Sequence, residues 1–268
     1  MQSLFLSLSA LMAMIPMALL AIRRRLDRSD ELFWAVLAVA ILGPATYCSV
    51  ILSGNWSAGF AAALWLSIAT TLAFFAALVI WKPWAVRLTV LLVPYLFVLA
   101  LLALFFSTEA PRDQNTARLG AWLVVHIILS VVSYALVTLA AVAGGAVFWQ
   151  ERALKAKRQD ALTSRLPAMA QAESMQVKLL LCAEGVLGLS IASGMAQLYQ
   201  SQAHLISLDH KTLLAIMAFA VIGVLLVLHH NSGLRGRRAA RLVLLGYLLL
   251  SLAYPGVKFV TDVLLGHN

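Results

Sequence analysis

The chain has 268 residues, of which 62% are hydrophobic and 12% charged, and its mean hydropathy is +0.92. A soluble chain this apolar has too few polar groups to cover its own surface, so the composition excludes an ordinary soluble domain and assigns the surplus apolar surface to lipid. The net charge of +9 would suit nucleic acid or an anionic membrane surface, and its distribution along the chain selects the membrane.

Eight stretches supply the roughly 20 apolar residues that a membrane helix needs. They cover residues 3–22, 32–52, 59–80, 88–107, 119–149, 177–199, 211–230 and 240–263. None alternates in polarity as barrel strands do, and backbone groups in lipid must pair within their own segment, so all eight are expected to be helices. The first is followed, not preceded, by its positive cluster Arg23–Arg25. That is the reverse of a secretory signal, and it predicts a retained helix with its N-terminus outside.

The connections alternate in charge. The first, third, fifth and seventh carry sixteen Lys and Arg residues; the even ones carry two or three. The positive-inside rule places the odd connections in the cytoplasm and both termini outside. Tryptophan agrees with this frame: Trp56 and Trp122 fall at the predicted outer border, and Trp34, Trp81, Trp84 and Trp149 at the inner one, as interfacial aromatics do. The fifth connection, 150–176, opens as Gln150-Glu151-Arg152-Ala153-Leu154-Lys155-Ala156-Lys157. This run favours helix and predicts a basic cytoplasmic continuation of the fifth span. No soluble domain or repeat stands out, so the expected organisation is a single transmembrane domain over 1–268.

Cys48 and Cys182 lie in apolar runs with no CxxC or CxxCH spacing. The pattern predicts packing residues and argues against a dithiol or an attached c-type haem. Polar residues at membrane depth nominate function. Lys258 and Asp262 stand four apart and can pair on one helix; Glu184 is placed to snorkel or to pair with the basic connection.

Six histidines remain. His126 lies about two turns into the fifth span, roughly 10 Å deep at 1.5 Å per residue, and His267 at the outer end of the eighth. His204 and His210 belong to the external sixth connection, and His229 and His230 close the seventh span on the cytoplasmic side. There is no HExxH and no tight His–carboxylate spacing, so zinc is disfavoured. Histidines from separate helices suit a flat macrocycle such as haem, which needs no local motif. On residues alone His126 is equally readable as a helix-to-helix hydrogen bonder.

Several ordered pieces carry a resemblance. The fifth span reads Val125-His126-Ile127-Ile128-Leu129-Ser130-Val131-Val132-Ser133-Tyr134, the sixth connection ends Leu208-Asp209-His210-Lys211-Thr212, and His229-His230 precede Gly233-Leu234-Arg235-Gly236-Arg237-Arg238-Ala239. The last span holds Tyr254-Pro255-Gly256-Val257-Lys258-Phe259. From about residue 60 onward this order resembles the CcsA/CcmC/HemX family of cytochrome c assembly membrane proteins, and among them the small YpjD-type inner membrane proteins. The resemblance implies an all-α polytopic bundle, N-out and C-out, in a bacterial inner membrane. It implies a protein that handles haem b by axial histidine ligation without catalysing a turnover of its own. Its partners would be haem, other assembly or membrane proteins and the lipid bilayer, with no nucleic acid.

Carried over residue by residue, the external axial pair is His126 and His267. A second, inner site uses His230, or His229 by a one-residue slip. Asp209 and Lys211 match the family's Trp-Asp-x-Lys stretch, and Arg118 and Lys211 are placed by charge to neutralise propionates. The sixth connection departs from the family in having no tryptophan. The alternative implied is a HemX-like regulatory or scaffold protein of the same fold without haem transfer. A solute transporter fits less well, because Pro16, Pro44 and Pro94 do not pair with the prolines of the second half.

Overall fold

The computed structural model describes residues 2–23, 26, 28–53, 59–107, 121–157, 160–202, 210–257 and 259–260. Every regular element among them is helical, and eight helices are long and apolar enough to cross a membrane. They gather into two compact units. One comprises Met1–Thr116 with Asp160–Pro167 and Lys258–Asn268; the other comprises Ala117–Gln159 with Ala168–Val257.

The first unit contains α1 (Gln2–Arg23), α2 (Glu31–Ser53), α3 (Phe60–Trp81) and α4 (Thr89–Phe105). Each packs on its neighbour in sequence, and α4 closes the ring on α1. Helix α2 starts where it does because Asp30 Oδ1 accepts the Phe33 N–H at 3.0 Å, capping one of the four donors that a helix start leaves unpaired. Lys82 is extended (φ −134°, ψ 92°) and ends α3, since the residue before Pro83 is pushed out of helical conformation. Helices α1 and α2 cross closely at Gly43, where an added Cβ would lie 2.6 Å from that of Ala13. The centre of this ring is filled: Trp65 is fully buried, its Nε1–H donates to Ser7 Oγ at 3.2 Å, and the Tyr47 ring lies 5.7 Å away. Phe60, Phe106 and Phe259 meet edge to face with centroids 5.4–5.6 Å apart. Arg165 Nη1 donates to the Ile22 carbonyl at 2.6 Å, satisfying an otherwise unpaired acceptor at the end of α1.

The second unit contains α5 (Ala121–Ala156), α6 (Met169–Gln202), α7 (His210–Ser232) and α8 (Gly236–Ser251). These form a ring with the same neighbour order, α5 to α6 to α7 to α8 and back to α5. Helix α5 runs past Trp149 through the basic stretch and stops at Lys157, whose φ is +49°. Helix α6 begins at Met169, eight residues before the apolar run at 177. The segment after Pro167 contains no helix breaker, and a helix needs propensity rather than hydrophobicity to extend beyond the bilayer. Cys182 is exposed on α6 and Cys48 is half-buried, so Cys182 is not the packing residue its apolar surroundings suggested.

Gly233 (φ +64°) ends α7 in the left-handed region that glycine enters most cheaply. Arg235 is extended, Gly236 is again left-handed, and α8 begins. Its first free donors are met from other helices: Gly236 N–H reaches Glu173 Oε1 at 3.2 Å, and Arg237 N–H reaches Glu151 Oε2 at 2.6 Å. Glu151 Oε1 holds Lys155 at 2.6 Å, and the Arg237 guanidinium lies 4.8 Å from the centre of the Phe148 ring. Helix α8 does not continue as a regular α-helix through 240–263. It passes into a π-helical turn over Leu252–Gly256 in which Val257 N–H bonds back five residues to Leu252. Pro255 has no N–H for the normal ladder, and the wider turn is how the chain accommodates it.

Candidate functional site

Near the start of α5, helices α5, α6, α7 and α8 line a cavity of about 350 Å³. Its polar lining comes from His126, Ser130 and Ser133 of α5, Ser190 and Gln197 of α6, and Lys211 and Thr212 of α7. Leu187, Ile191, Met195, Leu198 and Leu250 supply apolar wall. The i, i+4, i+7, i+8 spacing of His126, Ser130, Ser133 and Tyr134 puts all four on one face of α5, and that face looks onto α6.

His126 is half-buried and held by α6. Its Nδ1 lies 2.9 Å from the Ser190 carbonyl oxygen and 3.2 Å from Ser193 Oγ, and its Nε2 lies 3.5 Å from Ser130 Oγ. Ser130 Oγ and Ser190 Oγ are 2.8 Å apart. Gly194 leaves room for the ring: a Cβ there would stand 3.0 Å from Cε1 of His126. Below the histidine, Tyr134 is 2% exposed, and its hydroxyl lies 3.2 Å from that of Tyr247. The Tyr254 ring, carried by the π-helical turn, lies 5.8 Å from that of Tyr134. Tyr254 also lines the cavity, so the turn that accommodates Pro255 delivers an aromatic wall.

Of the residues nominated by sequence, His126 and Lys211 line the same cavity. His229 and His230 stand at the other end of α7, about 27 Å from Lys211 along eighteen residues of helix. There, His229 Nδ1 donates to the Leu234 carbonyl at 2.9 Å, and His230 is exposed. Arg118, Asp209 and His267 lie outside the described residues, as do Lys258 and Asp262. Glu184 packs on α7, with Oε1 2.9 Å from where a Cβ at Gly223 would be. Among the described residues no group of three or more His, Cys, Asp or Glu comes together to hold a metal ion. Sequence reasoning missed Ser190, Ser193 and Gly194 as functional neighbours. Spacing along α6 alone does not say that an imidazole fills the gap at Gly194.

The family model for cytochrome c assembly proteins matches residues 48–265. An uncharacterized 28.8 kDa protein in the nifR3-like 5′ region of Azospirillum brasilense is 46% identical over 270 aligned residues, covering 99% of each chain. The inner membrane protein YpjD of Escherichia coli K12 is 29% identical over 177 residues, covering 65% of each chain. No solved structure matches the chain. The matched span takes in α3 to α8 and the whole cavity with His126, and the chain belongs to the cytochrome c assembly protein family.

Proposed function

We propose that the protein holds haem as cargo through axial ligation by His126, in support of cytochrome c assembly in a bacterial inner membrane. The observation that carries this reading is a half-buried imidazole, fixed by α6, in an apolar-walled cavity that also contains a lysine. An imidazole nitrogen suits haem iron, apolar side chains suit the faces of the macrocycle, and Lys211 suits a propionate. The space left at Gly194 for the His126 ring supports a position built for that side chain. At about 350 Å³ the cavity lies at the small end of ligand clefts, which run ~300–1,000 Å³. It therefore takes the ligated part of a macrocycle without enclosing all of it.

By the family resemblance, His267 would supply a second ligand, Arg118 a further cation, and Asp209 part of the external rim. His230 or His229 would serve a second, inner position. The odd connections face the cytoplasm, as their charge requires, and the His126 cavity then faces outward. The similarity to YpjD, an inner membrane protein, supports the location. The protein acts by holding and presenting haem, with no turnover of its own.

The absence of tryptophan from the sixth connection favours one second reading, a HemX-like regulatory or scaffold protein that keeps the fold and not the cargo. Titrating haem into the purified protein in detergent separates the two. The haem-holding reading expects a Soret band with sharp reduced α and β bands in wild type, lost in His126→Ala. Wild type that gives no band beyond that of free haem in the same detergent removes the haem reading and leaves the scaffold.

A further inference from the structure

The two ring nitrogens of His126 sit in different surroundings. Nδ1 faces the Ser190 carbonyl oxygen at 2.9 Å, and a carbonyl can only accept a hydrogen bond. A neutral His126 therefore carries its hydrogen on Nδ1 and its lone pair on Nε2. Ser193 agrees with that assignment. Its hydroxyl donates to the same Ser190 carbonyl at 2.8 Å, so its oxygen is left to accept from Nδ1 at 3.2 Å.

The Nε2 side is the reverse. The described polar atom near it is Ser130 Oγ, at the long distance of 3.5 Å. Ser130 directs its hydrogen to the His126 backbone carbonyl at 2.7 Å and can receive one from Ser190 Oγ at 2.8 Å. Nε2 thus keeps an acceptor lone pair that Ser130 does not consume. Gly194 completes the arrangement. A Cβ there would lie 3.0 Å from Cε1 and 3.3 Å from Nδ1, so the ring would have to shift by a few tenths of an ångström.

We infer that the Ser190–Gly194 turn of α6 is a positioning element that fixes His126 as the Nδ1–H tautomer and presents Nε2 as the atom that takes an external ligand. The identity of that ligand as haem rests on the function proposed above; the tautomer does not. A ligating histidine whose other nitrogen donates to a carbonyl is held in orientation and made a better ligand. Gly194 is then required for the approach of the ring, and Ser193 reinforces its choice of nitrogen.

The test is the ¹⁵N NMR spectrum of ring-labelled histidine in the haem-free full chain in bilayers, near neutral pH, with His126→Gln to assign the signal. Wild type is expected to show His126 as Nδ1–H, and Gly194→Ala to lose that preference while the far-UV spectrum stays helical. An Nε2–H signal from wild-type His126 overturns the inference without any variant having to fold. So does a helical Gly194→Ala protein with the tautomer unchanged. Haem titration of the same samples forms the second arm, with Gly194→Ala expected to weaken binding about tenfold or more. Haem bound at His126 in the Nε2–H form sinks the positioning element and spares the haem reading. An Nδ1–H histidine in a wild-type protein that binds no haem does the opposite.

Discussion

The two helical units share a neighbour order and differ in what fills them. In the first ring the centre is closed by Trp65, Phe33 and Phe75, all fully buried. Several of its hydroxyls are satisfied within their own helices, as when Ser67 donates to Ala63 at 2.8 Å and Thr46 to Gly43 at 2.7 Å. In the second ring, Ser130 and Ser190 also meet each other across α5 and α6, Ser193 reaches His126 across the same pair, and a cavity remains beside them. The same ring of helices is a filled core when its inward positions are large and apolar. It keeps a cavity when they include serine, glycine and one imidazole.

That contrast can be broken most forcefully in the first ring. Trp65→Ala should cost about 3–5 kcal/mol, the usual penalty for emptying a large buried aromatic site, read as a fall in the apparent melting temperature of the detergent-solubilised protein. Haem affinity at temperatures where the variant stays folded should be unchanged. The α7–α8 turn of the second ring comes next. Gly236→Ala should cost roughly 3 kcal/mol in the same assay, from a left-handed backbone and the loss of a carboxylate hydrogen bond. A Cβ there would meet Glu151 Oε2 at 2.5 Å.

His126→Ala should leave stability within about 1 kcal/mol, since only partly buried hydrogen bonds are lost, while removing the Soret band. A large loss of stability with haem retained would erase the distinction between the rings. Lys211 is exposed, so Lys211→Ala should weaken haem only about threefold, and less at high salt, as an exposed charge pair implies. Smallest is Tyr247→Phe. It deletes a 3.2 Å contact between hydroxyls and should cost about 0.5–1.5 kcal/mol.

The positions of the eight helices could be read from the apolar runs because lipid imposes a length and a composition on each crossing. Their ends were less readable. Helix α6 starts in Met169-Ala170-Gln171-Ala172, which is helix-favouring without being apolar. Helix α8 starts in Gly236-Arg237-Arg238, which looks like a loop until Glu151 and Glu173 are seen to cap it from 86 and 63 residues away. His126 could be nominated because a histidine at membrane depth is costly. Its partners could not, because Ser190 and Ser193 become neighbours only once the register of α6 against α5 is known. Lys211 joined the site from its charge and its place in the Asp209–Thr212 stretch, while the π-helical turn at Pro255 gave no sign beyond the proline itself.

The cap on α8 has a consequence for how the protein is made. Its two carboxylates belong to α5 and α6, which leave the ribosome before the α7–α8 hairpin. The α5–α6 pair therefore stands ready as a template, with Glu151 and Glu173 waiting for backbone donors that have not yet been synthesised. When the hairpin enters, docking on these carboxylates adds to its own left-handed Gly233 and Gly236 in fixing the start of α8. A chain stopped after α6 would keep its platform. An α7–α8 hairpin made alone would lack the two carboxylates that meet the first donors of its second helix.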